Sequence, residues 1–506
     1  MTRHAIAAAE VFGHPGCDTV VVDDGRIEAI THHSKVGVPL TEHSGKTILG
    51  PFIDSHLHPL GYAALVTGIS LKECSDMQDL RDRLRDAATR LPEDRALMAQ
   101  RLDDSRLGRL PDRTDLDTAL GDRPAIVYRY CGHVAVVNTA ALDLAGVGPD
   151  TPDPPGGSLD RGDDGRPTGV LRETAIDLVA PSLDPILPIP SADRVLEALE
   201  SLAAVGIGHT GAMVAAHEPL WAGVGDELGM LCQLADDLPL TADVMVMADT
   251  LEEFERAARR IEGAGGKLRF WGWKGFADGS LGGHTAAMWQ PYVDRDTTGT
   301  MRLTNMHGAL ARRALEMGGV VAVHAIGDRA IDATLDLFEQ LVAGGADPSR
   351  LRIEHVSVPS PGAIRRIAQS GFIASVQPAF LASEADWVPP RLGPERTAYP
   401  LLSMARAGIE MVGGSDCPVE PPDPLAGIAA AVHRAGWADA EHLDLGAAVA
   451  LFTDAPARHF GRPAPLEPGS RADLIVVDHL GSEHASVDAV YRRGVRQLFR
   501  PIEWPG

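Results

Sequence analysis

The chain has 506 residues, 44% of them hydrophobic, and a formal net charge of −24 at pH 7. The apolar fraction suits a buried core, and the length exceeds one ordinary domain, although a βα barrel runs to about 250 residues or more as one unit. The acidic balance, with no basic stripe, argues against nucleic-acid binding, which needs clustered Lys and Arg. No run reaches the roughly 20 apolar residues of a membrane span. Residues 1–13 lack the apolar stretch of a secretion signal, so a cytoplasmic protein is expected. The five cysteines (Cys17, Cys74, Cys131, Cys232, Cys417) form no CxxC pair, which argues against a disulfide framework or a thiolate zinc knuckle. Only five residues are lysine, and one of them, Lys274, stands inside an apolar run.

Residues 18–27 pair an apolar run with a Gly turn and a second run, the pattern of a β-hairpin. Residues 469–478 and 489–494 have the same style, so residues 1–50 and 462–506 are expected to build one small β-sandwich domain from both termini. Between them, residues 51–461 alternate short apolar runs with helical stretches, the pattern of a parallel (β/α)8 TIM-like barrel. Strands are expected at 53–58, 206–211, 241–247, 270–276, 320–324, 351–355, 372–377 and 409–413, with helices at 251–261, 330–342 and 361–369 among those between them. The first gap is too long for one helix. Residues 67–191 are therefore read as an inserted subdomain or lid, with a strand at 124–129 and a Pro/Gly/Asp-rich loop at 150–167.

Active-site groups of such a barrel sit at the C-terminal ends of the strands. There the sequence offers His56 and His58 on the first strand, Lys274 on the fourth, His324 on the fifth, His355 on the sixth and Asp416 after the eighth. The period-two spacing of His56-x-His58 sends both imidazoles off one strand face, and imidazole suits zinc and other borderline metals. By itself that pair also fits surface or core histidines. Lys274 lies between Trp273 and Phe276, where desolvation lowers an amine's pKa. A neutral amine can add carbon dioxide to give a carbamate, an anionic ligand able to bridge two metals. The alternative is an ammonium that reaches water or pairs with Asp278. Asp416 follows the small residues Gly413-Gly414-Ser415, so its carboxylate can approach a metal and take a proton from activated water. The alternative is a helix cap ahead of Pro418.

Gly50 to His58, the Lys274 strand, His324, His355 and Gly414-Ser415-Asp416, closed by Gly469 to Asp478, resemble the amidohydrolase superfamily over nearly the whole chain. Gly132-His133-Val134 with Asn138, Phe276 to Gly282, His324 to Asp328 and Ser415 to Val419 resemble its YtcJ-like branch, which includes N-substituted formamide deformylase. The resemblance implies His56, His58, Lys274, His324 and His355 as metal ligands and Asp416 as ligand or base. It also implies hydrolysis of an amide-like C–N bond by metal-activated hydroxide.

His133, Asp278 and Trp387 are candidate substrate-binding residues. His133, near Tyr128, Arg129 and Asn138, fits a structural histidine equally well. Thr285 joins Asp278 as a pocket candidate, and Glu173 is either a site contact or a cap. His209 is open to a role as a donor behind the ligands, and His284 stands where a substrate contact is expected. Asp386, Trp387, Arg391 and Arg396 suggest a lid after the seventh strand. The expected activity is cleavage of an N-acyl, N-formyl, carbamate or cyclic amide, with one or two divalent metals, zinc first, and carbon dioxide held as a carbamate on Lys274. The expected partner is a small-molecule substrate, without nucleic acid or membrane, and a homodimer is open. A deaminase is the main alternative, but it wants a glutamate soon after the fifth-strand histidine, and His324-Ala325-Ile326-Gly327-Asp328 has none. A metal-free binding protein and an isomerase or decarboxylase are the others.

Overall fold

In the computed structural model, which describes residues 3–129, 134–154, 157–187, 190–216 and 226–499, eight parallel strands form the central sheet. They are β1 (Phe52–Leu57), β2 (Ile207–Ala215), β3 (Thr241–Met247), β4 (Leu268–Phe276), β5 (Val320–Ala325), β6 (Leu351–His355), β7 (Ile373–Val376) and β8 (Met411–Gly413). Their order in the sheet is their order in the chain. A parallel bridge between Leu57 and Cys417 brings β8 back to β1, and there Asp416 N–H donates to His56 O (2.7 Å) and His58 N–H to Cys417 O (2.8 Å). The sheet thus curls into the expected TIM-like barrel. Its strands read as near-continuous apolar runs because both faces are covered.

The helices between strands show why they form. Leu251–Ala264 starts where the Thr250 side chain accepts from Glu253 N–H, and it buries Phe254, Ala257, Ala258 and Ile261, a 3.6-residue stripe. Pro361–Ser370 starts with Ser360 as cap and Pro361 in its first turn.

Both ends of the chain build the small sandwich. One sheet orders Arg26–Thr31, Thr19–Asp23, His4–Ala7 and Leu40–Glu42; the other orders Glu10–Val11, Thr47–Leu49, Leu474–Asp478, Ser486–Arg492 and Val495–Gln497. Ile6, Val20, Val22 and Ile27 share a core with Ile48, Leu474, Val476 and Tyr491. The hairpin pairs Asp23 with Arg26 across Asp24 and Gly25, whose φ angles of 44° and 75° are those of a two-residue turn that suits strand twist.

The insertion carries a six-stranded sheet ordered Gly157–Arg161, Pro167–Glu173, Val134–Val137, Ala125–Arg129, Leu97–Leu102 and Ile69–Ser70. Successive residues Ile126 and Val127 enter different cores, as strand alternation requires. The stretch expected as a loop at 150–167 contains a strand, because Gly157–Arg161 pairs antiparallel with Pro167–Glu173. Its edge strand is mostly polar, with Leu159 its buried residue, so no apolar run announced it. Among the described residues, no helix is long and apolar enough to cross a membrane.

Candidate metal centre and active site

The C-terminal mouth of the barrel gathers the residues singled out on five different strand ends. His56 Nε2 and His58 Nε2 lie 3.2 and 3.3 Å from Asp416 Oδ1. One nitrogen each of His56 and His355 and an oxygen of Asp416 all fall within 4.8 Å of one another. The His324 and His355 rings are 4.5 Å apart, and Lys274 Nζ stands 3.5 Å from His56 Nε2. The helix-cap alternative for Asp416 is ruled out: the next helix, Pro424–His433, is capped by Asp423.

Two backbone features make this convergence possible. His355 has φ of +73° and Asp416 φ of +57°, the left-handed region that non-glycine residues rarely enter and that clusters at functional sites. At His355 this breaks strand alternation. Glu354 and His355 therefore both reach His56, the first by a hydrogen bond (2.7 Å), the second with ring centres 5.2 Å apart. At Gly414 a Cβ would stand 2.6 Å from His56 N, so only glycine lets the end of β8 approach β1 this closely.

The donors are prepared for a cation. Nδ1–H of His56 donates to Glu354 Oε2, which leaves Nε2 with its lone pair toward Asp416. Nε2–H of His324 donates to Gly279 O (2.8 Å), which leaves Nδ1 unprotonated. The buried Nδ1 of His355 has no hydrogen-bond partner. Burial and neighbouring cationic groups hold His324 and His355 neutral, the latter down to about 3. Burial and Lys274 disfavour a charged His56, yet Asp416 and Glu354 together outweigh them and its pKa is raised. A proton is thus drawn to the place a metal ion would fill. For Asp416, burial favours the neutral acid, but His56, His58 and His355 prevail and hold it well below the usual carboxylate range. A buried lone pair without a partner, beside an ionised carboxylate and neutral imidazoles, is a donor set that fits a divalent metal.

Lys274 is 2% exposed and its Nζ lies 4.7 Å from the Phe276 ring centre. Burial lowers its pKa to about 8, so the neutral amine is within reach near neutral pH. It neither reaches water nor pairs with Asp278. That carboxylate is fully buried and accepts from Ala287, Ile326 and Gly327 N–H at 2.8, 3.1 and 2.8 Å. Asp278 Oδ1 also stands 3.4 Å from His324 Nε2.

A cavity of about 290 Å³ opens over these groups. Phe276, Phe380 and Trp387 line it, with Arg101 and Asp177 contributed by the insertion and Arg302 by the loop after β4. Asp278 and Trp387 thus both border the cavity; His133 and the side chain of Glu173 lie outside the described residues.

A family model for the amidohydrolase family matches residues 44–497. The chain belongs to the amidohydrolase family. Among its relatives, the amidohydrolase YtcJ of Bacillus subtilis (strain 168), named there as putative, is 31% identical over 87% of this chain and 86% of that one. N-substituted formamide deformylase of Arthrobacter pascens is 27% identical, over 91% of this chain and 89% of that one. An uncharacterized metal-dependent hydrolase from Pyrococcus furiosus superposes with a TM-score of 0.73 at 27% identity, covering 94% of this chain and 99% of that one. This amidohydrolase is therefore a hydrolase of the YtcJ-like branch, and its family implies a divalent metal.

Other residues fall away from the centre or behind it. His209 lies at the start of β2, at the opposite end of the barrel, with Nδ1 2.9 Å from Thr241 Oγ1 and Nε2 3.2 Å from Asp243. It is no donor behind the ligands. His284 faces Asp294 (3.1 Å), and Asn138 caps the helix Thr139–Leu144. Thr285 Oγ1 accepts from Ser280 N–H and shapes its loop. Sequence reasoning missed Glu354, Arg352 and Arg101. For the first two a signal existed: Arg352-x-Glu354 puts two charges on one face of an apolar strand, which only an internal partner tolerates.

Proposed function

We propose that this amidohydrolase cleaves the C–N bond of an amide-like small molecule (N-acyl, N-formyl, carbamate or cyclic amide). His56, His58, Lys274, His324, His355 and Asp416 would hold one or two divalent metals, zinc first, with Lys274 as the carbamate. The observation that carries the reading is the buried Lys274, its pKa lowered to about 8, beside the His56 and Asp416 pair. A divalent cation there supplies Lewis acidity, polarising the substrate oxygen and lowering the pKa of water to about 7.

The chain's own residues supply the rest. Glu354 fixes the tautomer of His56, and Gly279 O fixes that of His324. Asp416, 3.2 to 3.3 Å from two imidazoles, would accept a proton from the attacking water and pass it to the leaving nitrogen. Phe276, Phe380 and Trp387 give the cavity an apolar wall that suits the hydrocarbon part of an acyl or amine group.

The test is a panel of N-formyl, N-acyl, carbamate and aminoheterocycle compounds on metal-replete protein, N-formyl amines first because one relative is a formamide deformylase. Release of an amine from the first three classes is expected. Turnover confined to aminoheterocycles, with ammonia released, would make it a deaminase. Elemental analysis of the His56→Ala, His58→Ala double variant should show metal loss; full retention would overturn the ligand set.

A further inference from the structure

The sandwich domain holds a second cluster of metal-ligating atoms, remote in sequence from every residue of the barrel mouth. We propose that Asp18, His32 and His33 form a site for a borderline transition ion such as Zn²⁺, clipping the open end of the N-terminal hairpin. Asp18 Oδ2 lies 2.7 Å from His33 Nδ1 and 3.3 Å from His32 Nε2, and one ligand atom from each residue falls within 4.8 Å of the other two. Two ligands of a tetrahedral zinc at about 2.0–2.1 Å from the ion stand roughly 3.3 Å apart. The His32 nitrogen already has that spacing to Asp18. The His33 nitrogen needs to open by about half an ångström, a small rotation for a ring that is 56% exposed.

The surroundings prepare the three groups. Asp18 accepts from Thr19 Oγ1 (2.7 Å) and from His33 backbone N–H (2.7 Å), which fixes its carboxylate. His32 Nδ1 is 2.9 Å from Ser34 Oγ, and Ser34 N–H donates to the same nitrogen at 3.3 Å. When Nε2 ligates an ion, the proton moves to Nδ1 and is donated to Ser34 Oγ. The short contact survives and only the longer one is lost. Such a bond is what orients a ligating imidazole. For His33, ligation through Nδ1 leaves the proton on Nε2, facing water. Two imidazoles and a single carboxylate favour zinc, copper or nickel over magnesium or calcium, which prefer oxygen.

The placement gives the site a structural consequence. Asp18 precedes the strand Thr19–Asp23, and His32 and His33 follow its partner Arg26–Thr31. The Asp18 N–H to Thr31 O bond (3.1 Å) is the last backbone bond of that hairpin. An ion here joins both strand ends.

The experiment compares wild type with His32→Asn, His33→Asn. Both rings are substantially exposed, and Asp18, which ties the backbone, is untouched. Holoenzyme is dialysed against zinc buffered in the micromolar range and its metal counted. Wild type should hold about one equivalent more than the variant, with kcat/KM equal in both. Zinc should raise the apparent Tm of wild type by more than that of the variant, in which the barrel mouth can still bind it. The His56→Ala, His58→Ala protein should keep this equivalent while losing those of the barrel mouth. Equal zinc in wild type and variant, or Tm rises of equal size in both, would reduce the cluster to carboxylate–imidazole hydrogen bonds and overturn the site. Because the readout is metal count, failure of this site and failure of the barrel assignment are separately visible.

Discussion

Arg352 is a costly residue, a guanidinium with no exposed surface beneath the candidate metal centre. Its Nε donates to Glu354 Oε1 (2.5 Å) and its Nη2 to Ser55 O (2.9 Å). Burial pushes Glu354 toward the neutral acid, but Arg352 and then His56 and Lys274 hold it well below the usual range. Arg352 thereby keeps Glu354 ionised, and Glu354 keeps His56 in the tautomer that offers Nε2. Arg352→Gln should weaken metal binding by about 10–100-fold, as loss of such supports does. Chelator competition on the apoprotein measures it, and an unchanged affinity would mean Arg352 serves packing alone. Asp416→Asn tests the proton acceptor: kcat should fall by about two to four orders of magnitude, with more metal kept than in the double histidine variant. Near-normal kcat would move the proton to another carboxylate. Lys274→Ala should lose activity and recover part of it with short carboxylic acids, which can replace a carbamate oxygen. The ligand candidates were legible because histidines and a lone lysine stood at strand ends. Glu354 carried a signal in Arg352-x-Glu354; what no spacing rule anticipates is the left-handed turn at His355, which brings His355 to the same centre as its neighbour.

The elements themselves divide by how much of their surface is buried. All eight barrel strands were legible, since strands covered on both faces carry near-continuous apolar runs, as in Val320-Val321-Ala322-Val323. The loops that shape the cavity were not, because their order comes from long-range polar bonds rather than periodicity. Arg391, for example, donates to Asp294 (3.0 Å) and to the carbonyls of Leu281 and Gly282 (2.8 Å each), fastening the loop after β7 onto the one after β4. Its guanidinium also lies 4.9 Å from the Trp387 ring centre, so the clasp holds a cavity wall. The junction of β8 and β1 is a tight join beneath the metal centre. Gly414→Ala places a methyl 2.6 Å from the His56 backbone nitrogen and 2.8 Å from His56 Cβ, neither of which can swing away. We expect a loss of about 1–3 kcal/mol, the usual cost of overpacking, together with reduced metal content. Thermal melts with parallel metal analysis check it, and full metal with a native Tm would show that β8 can retreat without disturbing His56.

Over the whole molecule, pH acts through buried carboxylates outside the metal centre, and two of them pull in opposite directions. At the base of the barrel Asp243 is buried; burial would raise its pKa, but His209, Arg269 and Arg462 lower it to about 2. Its contribution to stability is therefore present above the ordinary 3.8 and is lost as pH falls toward about 2. Glu227 is the reverse case. It opens the helix Glu227–Gln233, is 6% exposed, and accepts a hydrogen bond from Ala215 N–H at the end of β2 (3.1 Å). Burial raises it from 4.5 to about 7, the Ala215 bond opposing. The folded state then holds a proton that the unfolded chain releases, so stability is full below 4.5 and declines as pH rises through about 7. That shift corresponds to about 3 kcal/mol, at one pKa unit per roughly 1.4 kcal/mol. The net charge of −24 adds self-repulsion over the same range, so wild type alone cannot separate the two. Glu227→Gln can. It keeps a side-chain oxygen for Ala215 and removes the ionisation, while leaving every other charge in place. Between about pH 5 and pH 8 the wild-type apparent Tm should fall by a few degrees more than that of Glu227→Gln, a chain of this size shifting by roughly 1–2 °C per kcal/mol. Parallel curves for the two proteins would mean that Glu227 is ionised in the folded state, its charge met by some group other than Ala215 N–H.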